Sequence, residues 1–111
     1  MARRKAVDKW EVPETVVQIV KAFCADYSRR AKALSRHNVS DDTVALYVKL
    51  NSVIDAALEE VEEGIRQIML TDIQLGRGYD FSPASPFLAK NTYYQRKRKI
   101  VHKIAKSLLL F

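Results

Sequence analysis

A chain of 111 residues, 48% of them apolar, is one domain or one domain with a small appended module, and is not disordered by composition. Its net charge of +6 is polarised: residues 81–111 hold seven basic and no acidic side chains, which leaves 12 basic and 13 acidic ones in positions 1–80. The single cysteine excludes an intramolecular disulfide, and no stretch approaches the ~20 apolar residues that span a bilayer, so a soluble, cytoplasmic protein is expected.

Residues 1–12 open with Arg3, Arg4 and Lys5 and contain no apolar run of signal-peptide length, which predicts a basic N-terminal arm. Pro13 suits the first position of a helix, where its missing N–H has no partner to lose. Val16, Val20, Phe23, Tyr27, Ala31 and Leu34 then form one apolar stripe, predicting a helix of about 22 residues. Cys24, between Phe23 and Ala25, reads as a buried structural thiol. His37-Asn38-Val39 reads as a connection, Ser40 as an N-cap, and Asp41 and Asp42 as first-turn acids that complement the helix dipole.

A second helix is predicted from Asp41 to about Leu70, because Val44, Tyr47, Val48, Ile54, Leu58, Val61, Ile65 and Ile68 keep a spacing of three or four. Residues 13–72 therefore read as an antiparallel two-helix hairpin. The near-heptad stripe suits self-association as a homodimer, and pairing with the first helix would use the same stripe. Asn51 lies on this seam, either setting register or oligomeric state or simply bonded to solvent or a loop. Glu59, Glu60, Glu62 and Glu63 read as a solvated face, with pairing to the basic C-terminus or to a protein partner as the other uses.

Residues 73–86 form a connecting loop, since the run from Gly76 to Pro86 holds four of the six glycines and prolines. Tyr79, Phe81 and Phe87 predict that the segment packs on the body. Residues 87–111 have the outline of a small helix-turn-helix unit: Phe87-Leu88-Ala89, the turn Lys90-Asn91, and a last helix from about Thr92. Tyr94, Val101, Ile104, Ala105 and Leu108 are its expected core side, flanked by Tyr93 and Ile100. His102 and His37 read as surface side chains. In such a unit the second helix enters the major groove of double-stranded DNA. Asn91, Thr92, Gln95, Arg96 and Lys99 are the candidate DNA contacts, and Lys90, Lys97, Arg98, Lys103 and Lys106 the candidate phosphate contacts. A basic amphipathic helix packed on the hairpin with no reading role accounts for the same pattern.

Asn91-Thr92-Tyr93-Tyr94, the run Arg96-Lys97-Arg98-Lys99 and Ile104-Ala105-Lys106-Ser107-Leu108, together with LEEVEEGIRQIML and the GRGY segment, resemble the C-terminal part of ArpU/RinA-type regulators of phage and prophage late genes. The resemblance covers roughly residues 52–111. It implies a sigma-factor-like helix-turn-helix, with double-stranded DNA and RNA polymerase as partners. One departure is the proline-containing FSPASPFLA where that family has a clear scaffold helix. Either Pro86 with Ser85 as cap starts such a helix here, or the helix-turn-helix pattern is degraded and with it the DNA-reading role.

The expected class is thus an all-α DNA-binding transcription regulator. The alternative is a phage-type protein-interaction module, such as an inhibitor of a host nucleic-acid enzyme, that docks through the long helices and the basic one. No enzyme, cofactor or metal is expected, because the chain lacks a Gly-rich phosphate loop, an acid paired with a histidine, and metal-ligand spacing.

Overall fold

The computed structural model describes residues 10–36 and 38–111; Arg3, Arg4, Lys5 and His37 lie outside them. The described residues form five α-helices and no strand: α1 Glu14–Ala25, α2 Tyr27–Leu34, α3 Asp41–Leu58, α4 Arg66–Leu75 and α5 Lys90–Ser107. Short 3-10 turns occupy Glu63–Ile65 and Tyr79–Phe81.

Helix starts follow the local signals. Pro13 precedes α1, with its carbonyl accepting from Val17 N at 3.0 Å. Ser40 Oγ accepts from Thr43 N at 3.2 Å, and Asp41 and Asp42 fill the first turn of α3. The first expected helix is interrupted at Asp26, although Asp26 N→Ala22 O and Arg30 N→Asp26 O continue the ladder across the bend. Two side chains enter the ladder there: Arg30 Nη2 donates to Phe23 O at 2.8 Å and Gln74 Nε2 to Cys24 O at 2.9 Å. Side-chain insertion of this kind is a known cause of kinks.

The second expected helix is also broken. α3 ends at Leu58, Glu62 is extended (φ −57°, ψ 137°), and α4 begins at Arg66. Like-charged glutamates three and four residues apart repel along a helix, and Gly64 is a poor helix former. Arg66 Nε also donates to Val61 O at 3.0 Å, giving one carbonyl of the turn a partner. Val61 and Ile65 stay buried through the break, which is why the apolar period runs through it. α4 continues past the expected loop boundary to Leu75. It closes with Gly76 in the left-handed region (φ 67°), where Arg77 N bonds Asp72 O at 2.8 Å and Gly76 N bonds Ile73 O at 3.3 Å. This is a Schellman end, whose αL position glycine fills without strain.

Beyond Asp26, α2 pairs antiparallel with α3: Tyr27 reaches Asp55, Arg30 reaches Asn51, and Arg29 reaches Tyr47. Asn51 is neither solvated nor free to set an oligomer. It is buried, accepting from Arg30 Nε at 2.6 Å and donating to Tyr27 O at 3.3 Å. The hairpin is confined to these two helices, because α1 turns at Asp26 to pack on α4 and α5. α5 is not an appendage: Tyr93, Ile100, Val101, Ile104 and Ala105 share one core with Val20, Cys24, Ile54, Ala57 and Met69. Burial pushes the Cys24 thiol up to about 12, so it stays protonated and inert. The described chain is elongated, 61 × 32 × 20 Å.

Candidate nucleic-acid interface

Two elements announce α5 and both differ from expectation. The segment before it forms successive turns over Pro83–Phe87, with Ser85 N→Ser82 O and Leu88 N→Ala84 O bonds, rather than the scaffold helix that Pro86 suggested. Ala84 and Ser82 are buried in it, and Tyr79 Oη donates to Leu88 O at 2.5 Å. Phe81 and Phe87 were expected to pack, yet they stand 81% and 76% exposed, because the smaller side chains take the inner positions. α5 itself begins at Lys90, two residues earlier than Thr92, with no side-chain cap from Ala89.

The start of α5 is held by a buried polar lock. Tyr93, expected to flank the core, is wholly buried, while Tyr94 is half-buried. Tyr93 Oη donates to Asp72 Oδ2 at 2.7 Å, and Arg77 Nε donates to Asp72 Oδ1 at 2.6 Å. Burial, then the Asp72 hydrogen bond, raises the Tyr93 hydroxyl well above its ordinary 10.0. Tyr94 Oη accepts from Tyr79 N at 3.2 Å. Asp72 was not singled out by the sequence argument. Its signal was there: an acid lying three residues after Met69, one helical turn along the face that α4 buries.

The ten candidate contacts separate into distinct surroundings. Lys90, Asn91, Gln95 and Arg98 are exposed, and residues 91, 95 and 98 share one stripe because their spacings are four and three. Thr92, Arg96, Lys99 and Lys103 form a neighbouring stripe, half-exposed. Its three cations are occupied: Arg96 grips Glu62, with Nη2–Oε1 at 3.0 Å and Nε–Oε1 at 3.2 Å, while Glu60 bridges Lys99 (3.3 Å) and Lys103. The side-chain hydrogen bonds from Lys103 and Lys99 hold the Glu60 carboxyl below its ordinary 4.5, and that from Arg96 does the same for Glu62. Of the uses open to the acidic run, pairing with the basic terminus is the one realised by Glu60 and Glu62.

Lys97 turns inward, donating to Arg77 O at 2.7 Å and lying 5.7 Å from the Tyr93 ring centre. Burial pushes its ammonium below the usual lysine value, and it is not placed to meet phosphate. Lys106 is exposed and stands 4.0 Å over the Phe111 ring. His102, expected at the surface, is half-buried between the rings of Trp10 (5.3 Å) and Phe111 (5.4 Å). Trp10 also carries Lys99 over its face at 5.4 Å, so the indole lies against the second half of α5.

Among the described residues no group of three or more His, Cys, Asp or Glu side chains is arranged to hold a metal, and no helix is long and apolar enough to cross a membrane. No protein-family model, curated protein or solved structure matches the chain.

Proposed function

We propose that the chain is a DNA-binding transcription regulator of the phage or prophage type, reading double-stranded DNA with the first two turns of α5. The observation that carries the reading is the exposed pair Asn91 and Gln95, with Lys90 beside it, on a helix start held by the Tyr93–Asp72 bond. Asn and Gln have the paired donor and acceptor that adenine matches, and Lys90 is a point charge for phosphate. A reading helix meets base edges with its N-terminal residues, where Asn91 and Gln95 stand. Asn91 and Gln95 keep the reading role, while Arg96 and Lys99 belong to the acid-paired stripe. The α2–α3 arm, with Leu46 and Val48 about half exposed, offers the contact for RNA polymerase or a second copy.

Selection from random double-stranded DNA across a salt series tests this. The expected result is an enriched motif that Asn91→Ala with Gln95→Ala flattens, each lost bidentate contact removing about 1–3 kcal/mol of base discrimination. Binding without any enriched motif overturns the reading of sequence by α5.

A second reading is favoured by the outward Phe81 and Phe87 just ahead of α5. Under it the chain is a protein-interaction module, such as an inhibitor of a host nucleic-acid enzyme, and those rings are its anchors. No DNA binding at moderate salt, with loss of partner capture by Phe81→Ser and Phe87→Ser, selects it.

A further inference from the structure

The break between α3 and α4 has a geometric result beyond ending a helix. In an unbroken helix Glu60 and Glu62 would point about 160° apart. With the helix ended at Leu58 and Glu62 extended, both carboxylates instead reach the same stripe of α5. Arg96, Lys99 and Lys103 lie three and four residues apart, a cationic track of roughly 10 Å. Two carboxylates serve all three cations, leaving a net +1 on a track that would carry +3 uncovered.

These pairs are not what holds α5 in place. Glu62 is 56% exposed and the side chains of Arg96, Lys99, Lys103 and Glu60 are each about a third or more exposed, so the pairs exchange readily with solvent ions. The helix is held from its other side by Tyr93, Ile100, Val101, Ile104 and Ala105.

We propose that Glu60 and Glu62 are specificity-determining residues: an internal polyanion that occupies the second stripe of α5, so that phosphates must displace carboxylates to reach Arg96, Lys99 and Lys103. This rests on the reading of α5 as the nucleic-acid surface and adds its regulation. Non-specific binding comes almost wholly from neutralised phosphates. Cover over three cations therefore subtracts from the sequence-independent term and leaves the exposed Asn91 and Gln95 untouched. The ratio of specific to non-specific affinity rises as total affinity falls.

The test compares the full chain with its Glu60→Gln, Glu62→Gln double variant on a random-sequence duplex, on the selected duplex, and on heparin, each across a salt series. Uncovering the track steepens the log–log salt slope on random DNA by about 2 to 3 and strengthens that binding at least about tenfold near 0.1 M salt. Preference for the selected site falls. An unchanged slope on both polyanions, with circular dichroism showing a folded variant, overturns the proposal. If neither protein binds DNA but the variant leaves heparin at distinctly higher salt, the carboxylate cover stands and the DNA reading falls. Glu62→Gln alone, at the more exposed position, is expected to steepen the slope by about 1 and serves if the double variant does not fold.

Discussion

α5 is gripped by polar contacts on two sides, and they are different in kind. On its inner side Tyr93, Asp72 and Arg77 form a lock in which Asp72 and Tyr93 have no exposed surface. On its outer side Glu60 and Glu62 meet Arg96, Lys99 and Lys103 at the partly exposed surface. The atoms are of similar types and the distances similar. Burial separates them: a buried acid stripped of a partner has no water to replace it, whereas an exposed one does. The inner contacts specify where the helix stands, and the outer ones set only what charge it presents.

The largest test of that contrast is Asp72→Ala, which leaves Tyr93 Oη and the Arg77 guanidinium without their shared acceptor. A loss of about 3 kcal/mol is expected from urea denaturation. A loss no greater than that of a surface substitution breaks the comparison. Asn51→Ala tests the other buried polar contact, between Arg30 of α2 and α3. About 2 kcal/mol is expected, with amide exchange quickening first in α2. Gly76→Ala is next, at about 1 kcal/mol in thermal melting, because the alanine must hold φ 67° and its Cβ would come within 2.8 Å of Lys21 Nζ. Glu62→Gln sits at the bottom, within about 0.5 kcal/mol.

The pH response sharpens the same contrast. Tyr93 has a folded-state value raised above 10.0, so its contribution is complete at lower pH and is lost as pH rises beyond that ordinary value and the unfolded hydroxyl ionises. A fall in melting temperature above about pH 10, reduced in Tyr93→Phe relative to its own neutral-pH value, is expected. Glu60 and Glu62 have lowered values, so their pairs contribute above the ordinary 4.5 and dissolve as pH falls through the folded-state values. Nuclear magnetic resonance titration of the two carboxyls follows this directly, with little accompanying change in stability.

Much of this was legible in the residues. Pro13, Ser40 and Gly76 each stand where a backbone terminus needs them, and the all-helical fold follows from the apolar spacing. Charge placed attention on α5, and pairing with the basic C-terminus was one use the sequence offered for the glutamates. What the spacing hid was the break after Leu58: Val61 and Ile65 remain inward through it, so the period is kept while the helix is not. The exposure of Phe81 and Phe87 was hidden for a related reason, since side-chain apolarity says nothing of which turn residues the backbone points inward. The division of the α5 cations into two stripes was arithmetically present in their spacing. Their different surroundings came from residues more than thirty positions away.

The chain contains one tryptophan, and it rests against Lys99 and His102 on the covered half of α5. Its emission is therefore a label-free optical probe of that face. Displacing the Glu60 carboxylate that holds Lys99 alters the field across the indole, and a polyanion titration followed in a fluorimeter reads the outer surface of α5 without any added dye.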